Sequence, residues 1–273
     1  MVPQGAALEV DRVAEVAQAA GADVIETRAV PVPVTLFDRR TVHNLLVSSA
    51  DTKGLSSRLR DLSDQYGVDI ALQPRAARCQ SYRLAVFDMD STLIDCEVID
   101  ELAAQAGVGE AVAEITAQAM RGELDFDESY RSRLALLEGL DARAVEELAD
   151  RLPLKEGLRE MTTTLKAQGL KLAIFSGGFM PIAERLQVDY GFDEVVANTL
   201  EIASGKVTGR VVPPIVNREQ KAAALQALAT RLGIGVDACI AVGDGANDLD
   251  MMAMAGLGVA FHAKPAVRAA SPI

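Results

Sequence analysis

The chain has 273 residues, 49% of them hydrophobic, enough for one large domain or one domain with a smaller appendage. Its 39 acidic residues outnumber 27 Lys and Arg, and the formal charge of -12 argues against non-specific nucleic-acid binding, which rests on phosphate neutralisation. Cys79, Cys96 and Cys239 lie far apart without a C-x-x-C pair, and His43 and His262 are too few for a histidine metal cluster; a disulfide framework and a zinc site are not indicated, and reduced thiols in a cytoplasm are expected.

Met1 to Ala7 lack the basic start and apolar core of a signal peptide, and no apolar run approaches the ~20 residues that span a bilayer. Val10 to Ala19 has helical spacing through Val10, Val13, Val16 and Ala19. Val24 to Val30 and Thr41 to Val47 read as strands, separated by loop signals at Pro31-Val-Pro33 and Asp38. Gly54 to Tyr66 reads as an amphipathic helix, and Val68 to Leu72 as a short strand ending near Pro74. The order helix-strand-strand-helix-strand over residues 1–76 is a ferredoxin-like α+β pattern without its opening strand. It resembles the amino-acid-sensing ACT modules, which implies a regulatory ligand; a plain appendage or a homodimerisation module remains the alternative. Pro74 to Tyr82 is a basic linker.

Leu84 to Phe87 is short, apolar and partly β-branched, a buried central strand. It ends in Asp88-Met-Asp90-Ser-Thr92-Leu93. Two carboxylates two residues apart are costly unless a cation lies between them, and hard oxygen ligands suit Mg²⁺. The spacing excludes a calcium loop of the EF-hand type, since Leu93 and Ile99 occupy the positions of its glycine and bidentate acid. Helices follow at Glu97 to Ala106, Val112 to Met120, Asp127 to Leu137 and Asp141 to Ala149. They interrupt the sheet as a cap over about 97–150 that excludes water. The sheet resumes with a helix at Leu158 to Gln168, a strand at Leu170 to Phe175 ending in Ser176-Gly-Gly178, a helix at Pro181 to Leu186, and a strand at Glu194 to Thr199. A hairpin extension over Leu200 to Val211, a helix at Glu219 to Leu232, a strand at Cys239 to Val242, a helix at Leu249 to Ala255 and a strand at Gly258 to Phe261 complete a doubly wound parallel α/β sheet.

Three further segments carry chemistry. Ser176-Gly177 offers a hydroxyl and close backbone N–H groups to an anion. Lys221 begins a helix after Pro213-Pro214. Gly243-Asp244-Gly-Ala-Asn247-Asp248 puts three oxygen side chains into five residues, again suited to Mg²⁺, and no P-loop pattern occurs.

Together, Asp-Met-Asp-Ser-Thr-Leu and these three segments resemble the haloacid dehalogenase superfamily of phosphatases over Leu84 to about Ala270, and within it the phosphoserine phosphatases. The resemblance implies that Asp88 attacks phosphorus and that Asp90 serves as general acid and then base. Ser176, Gly177, Lys221 and Asn247 would bind the phosphoryl group. Asp88, the backbone carbonyl of Asp90 and Asp244 would hold Mg²⁺, with Asp248 behind them orienting Lys221. In the cap, the string Met120-Arg-Gly-Glu-Leu-Asp-Phe126 and Arg133 matches the same family. It implies that Glu97 meets the substrate ammonium, Arg133 its carboxylate, and Met120 and Phe126 close the pocket. The implied activity is hydrolysis of phosphoserine in serine biosynthesis. A phosphatase or phosphotransferase using another small acceptor, such as homoserine, is the alternative, and a non-catalytic regulator is disfavoured by the intact Asp88, Asp90, Lys221 and Asp244. The family also implies one more strand and a closing helix past Ser271, so the chain is expected to be trimmed at both ends.

Overall fold

The computed structural model describes residues 10–30, 42–66 and 68–270, in two units, Met1–Arg75 and Ala76–Ile273. In the first unit α1 (Val10–Ala19) and α2 (Thr52–Tyr66) accompany an antiparallel pair, β1 (Asp23–Val30) and β2 (Val42–Ser48). Ala17, Ala20, Ala22, Leu55 and Leu59 form its small core. The strand expected over Val68 to Leu72 is not formed. Ile70 and Leu72 do pack against the core, but the start of the segment is tied to α2: Ser63 Oγ donates to the Val68 carbonyl at 2.6 Å and Val68 N–H to the Ser63 carbonyl at 3.2 Å. The loop signals at Pro31 to Pro33 and Asp38, and Thr41 at the strand start, lie outside the described residues.

After the four-residue helix α3 (Arg75–Arg78), the second unit is built on a six-stranded sheet. Its strands are β3 (Leu84–Phe87), β4 (Lys171–Phe179), β5 (Glu194–Ala203), β6 (Lys206–Val212), β7 (Cys239–Gly243) and β8 (Leu257–Ala260), in the order β6-β5-β4-β3-β7-β8. All neighbours are parallel except the β5–β6 hairpin. Both faces of β3 are covered, so all four residues are buried: Ala85 and Phe87 join one core, Leu84 and Val86 the other. The chain first builds outward from β3 to β6, then returns to add β7 and β8. The switch of direction beside β3 opens a crevice at the carboxyl ends of β3, β4 and β7, where open α/β sheets bind ligands.

Between β3 and β4 the cap is inserted as α4 (Val98–Ala106), α5 (Gly109–Met120), α6 (Phe126–Ala135) and α7 (Arg143–Asp150). A capping box starts α6, with Asp125 accepting from Glu128 N–H at 2.7 Å and Glu128 accepting from Asp125 N–H at 3.0 Å. The two connections to the sheet bond to each other through Ile94 and Leu154. The loop after α6 is tied to the hairpin, Gly139 N–H donating to the Val207 carbonyl at 2.9 Å and Val207 N–H to the Leu140 carbonyl at 2.8 Å. Helices α8 (Leu158–Ala167), α9 (Met180–Tyr190), α10 (Arg218–Arg231), α11 (Leu249–Met254) and α12 (Pro265–Ala270) complete the unit. Strand β4 runs on to Phe179 with a register shift after Phe175, so Ser176 to Gly178 lies in an irregular stretch of strand rather than in a loop. Among the described residues the three cysteines are free and no helix is long and apolar enough to cross a membrane.

Candidate active site

The strand ends bring the separate segments together. Asp88 follows β3, and its backbone N–H donates to the Val242 carbonyl of β7 at 2.9 Å. Lys221 reaches in from the first turns of α10, with Nζ 2.8 Å from Asp88 Oδ1 and 2.7 Å from Asp248 Oδ1. The lysine and Asp248 are fully buried and Asp88 nearly so. Asp248 Oδ2 accepts the Gly245 N–H at 3.1 Å, which folds the loop after β7 into a short 3₁₀ turn. That fold needs glycine at 243: a Cβ there would lie 2.3 Å from Asp248 Oδ2. Asn247 is half-buried over Gly245 in the same loop.

Asp244 stands across from Asp88 and accepts the Thr92 hydroxyl at 3.2 Å. Asp88, Asp244 and Asp248 bring carboxylate oxygens within 4.8 Å of one another. Against three carboxylates there is one buried ammonium. Two unit charges ~4 Å apart interact by about 4 kcal/mol at an effective dielectric of 20, so the cluster is short of positive charge by an amount that matters. Burial, then the Asp248 carboxylate, push the Asp88 carboxyl up to about 8 despite Lys221. Burial, then Asp248, also raise Asp244. Burial works against the Lys221 ammonium, but Asp88 and Asp248 more than offset it and keep it charged. A hard-oxygen set with excess negative charge fits a divalent metal ion.

Asp90 turns towards the cap, where Oδ2 accepts the Val98 N–H at the start of α4 at 3.3 Å. Among the described residues its Oδ1 is buried without a hydrogen-bond partner. Burial, then Glu97 and Asp88, raise its pKa well above the ordinary carboxylate value. Ser91, next in the chain, has a left-handed φ of 58°, uncommon for a non-glycine, and its hydroxyl holds Glu97 Oε1 at 2.8 Å.

Ser176 is buried with its hydroxyl accepting the Gly178 N–H at 2.8 Å. Phe126, at the start of α6, lies over Gly177: a Cβ at 177 would be 3.1 Å from the ring Cζ. Burial raises the Asp100 pKa and the Arg133 charge opposes it; Arg133 Nε donates to the Ser129 carbonyl of its own helix at 3.4 Å, and Glu97 is held by Ser91. Met120, expected to close the pocket, does not cover it. It is 67% exposed at the end of α5, a helix whose one buried side chain is Val112, and the exposed ion pairs of Arg121 with Glu114 and Glu123 hold the next turn in solvent.

Thr92, within the first motif, and two residues outside the motifs complete the frame. Thr92 holds Asp244. Asn198, buried near the middle of β5, donates to the Gly177 carbonyl at 2.7 Å and accepts the Val216 N–H at 2.8 Å. Asn217 caps α10. The sequence signals were an isolated Asn in an apolar strand and an Asn ahead of Arg-Glu-Gln, both ordinary features until their partners are seen.

The family described as haloacid dehalogenase-like hydrolase matches residues 82–256, and the chain belongs to that family. Within it, the chain is 46% identical over 231 residues to a phosphoserine phosphatase of Streptomyces coelicolor, covering 85% of this chain and 56% of that one. A Salmonella enterica serovar Typhi hydrolase of the same family superimposes with a TM-score of 0.83 at 34% identity, over 94% of this chain and 86% of that one. A structure described as a phospho-aspartyl intermediate analogue of phosphoserine phosphatase aligns at 40% identity and a TM-score of 0.66, over 70% of this chain and 92% of that one. The chain spans roughly half to two thirds of the length of the first curated relatives it matches.

Proposed function

We propose that this chain hydrolyses O-phospho-L-serine to L-serine and phosphate, the last step of serine biosynthesis, with Mg²⁺ as cofactor. The observation that carries the reading is the buried Asp88–Lys221–Asp248 arrangement beside Asp244. The likeness to a protein described with a phospho-aspartyl intermediate analogue supports it.

In this reading Asp88 attacks phosphorus as the bond to the seryl oxygen breaks, and the Asp90 proton passes to that oxygen. Asp90, now a carboxylate, takes a proton from water as the water oxygen attacks phosphorus and the Asp88 oxygen leaves. Lys221, the Ser176 hydroxyl, the Gly177 N–H and Asn247 bind the phosphoryl oxygens. Mg²⁺, held by Asp88, the Asp90 backbone carbonyl and Asp244, supplies the positive charge that lets two anions approach. Asp248 keeps Lys221 in place. Glu97 takes the ammonium of the substrate and Arg133 its carboxylate, while Phe126 shields the site from water. Met120 joins that shield only if the end of α5 folds inward.

Residues 77–273 are then the phosphatase domain, and residues 1–76 an ACT-like regulatory module; the division at Arg75 and the helix-strand-strand-helix order are what support the latter. The free thiols suit a cytoplasmic protein. A phosphate-release panel of small phosphomonoesters, with alcohol acceptors and with and without a chelator, tests the reading. Phosphoserine should be the preferred donor, water the acceptor, and a divalent ion essential. Preference for another phosphomonoester, or capture of the phosphoryl group by homoserine, would replace it.

A further inference from the structure

Asn217 makes four bonds: its N–H donates to the Ile215 carbonyl at 3.0 Å, two more lie within its own helix, and one reaches across to the cap. Its backbone carbonyl accepts the Lys221 N–H at 3.0 Å, and its Oδ1 accepts the Gln220 N–H at 3.1 Å. Its Nδ2 donates to Asp127 Oδ1, in the first turn of cap helix α6, at 3.1 Å. The preceding residue, Val216, is bonded through the Asn198 side chain to the Gly177 carbonyl. One dipeptide is therefore tied to the Ser176–Gly178 strand, to the lysine helix and to the cap. Capping alone needs one acceptor, which Asp or Ser would supply as well. The carboxamide N–H₂ is the part that capping does not explain, and it is directed at Asp127. Beyond its other end, the loop that follows α6 is fastened to the β5–β6 hairpin at Val207.

We infer that Asn217 is a positioning residue that holds cap helix α6, and with it Arg133 and Phe126, in register with Lys221. The two ends of one substrate, its amino-acid head and its phosphoryl group, are thereby held a fixed span apart. The inference rests on the function proposed above, and its test is chosen to fail separately.

The substitution N217D keeps the acceptor for Gln220 and sets a second carboxylate against Asp127. The pair N217D/D127N restores the bond with its polarity reversed; D127N alone controls for the weak Arg131–Asp127 ion pair. With the best substrate of the panel, N217D should raise KM about tenfold at an unchanged unfolding midpoint, and the pair should return it to within about threefold. Amide hydrogen exchange over α6 in the substrate-free protein should quicken in N217D and recover in the pair. This second readout judges the latch even if phosphoserine proves not to be the substrate. The inference is overturned if N217D matches the wild type in KM or in exchange, or if the pair is no better than N217D.

Discussion

The Lys221 ammonium lies 2.8 Å from Asp88 Oδ1, with the lysine wholly buried and the aspartate side chain 7% exposed. Burial of a lysine is costly unless its partners are fixed, and here Asp248 fixes it from the other side at 2.7 Å. Removing the lysine strands two buried carboxylates. Lys221→Ala should lower the unfolding free energy by about 3–5 kcal/mol, read by urea denaturation, and abolish phosphate release. Wild-type stability in that variant would mean that the pair is not a structural element of the site.

Gly178 is packed where even a methyl group would press on its neighbours. A Cβ there would lie 2.7 Å from Met89 Cε, 3.1 Å from Ser176 Oγ and 3.2 Å from Asp90 Oδ1. The methionine methyl can move aside, whereas the hydroxyl and carboxyl are site groups. Gly178→Ala should therefore fold, with an unfolding midpoint close to wild type, yet lose turnover by about tenfold or more. A fully active variant would show that the Asp90 position is not critical.

Arg133 lies on α6 and Glu97 at the start of α4, two separate elements of the cap. Arg133→Ala should raise KM for phosphoserine strongly and leave hydrolysis of p-nitrophenyl phosphate, which has no carboxylate to bind, within about twofold. Equal loss on both substrates would remove Arg133 from substrate selection.

The sheet and its acidic loops were legible because they depend on local chemistry. Leu84 to Phe87 is apolar throughout since both of its faces are covered, and the Gly-Asp-Gly-Ala-Asn-Asp loop declares its own tight fold. Asn198 and Asn217 were not legible as site residues. Each acts through one side chain on groups distant in sequence, Gly177 and Asp127, and neither pattern nor spacing reports such pairing. Val68 to Leu72 has a strand's alternation and was expected as a strand; Ile70 and Leu72 pack against the core, but local bonding to Ser63 prevailed over pairing. Met120 was expected at the pocket and stands in solvent.

Asp193 joins β4 to β5, accepting from Lys171 Nζ at 2.7 Å and from Leu172 N–H at 2.9 Å. Burial alone would raise its pKa, but these two donors outweigh it and hold the carboxyl below the ordinary value. A folded pKa below the unfolded one contributes stability above about pH 4 and loses it as pH falls through the folded value. Lys171 is exposed, so Asp193→Asn should cost only about 1 kcal/mol at pH 7 and flatten the acid limb of the stability profile. Urea midpoints measured across that limb check this; parallel wild-type and variant profiles would contradict it.

Everything in the proposed chemistry turns on Asp88 accepting the phosphoryl group. Acid quenching during turnover of phosphoserine with Mg²⁺, followed by peptide mass spectrometry, should find one phosphoryl group on Asp88, and none after Asp88→Asn or when the metal is chelated. A phosphoryl group on any other side chain, or steady turnover by the Asp88→Asn variant, would contradict the account.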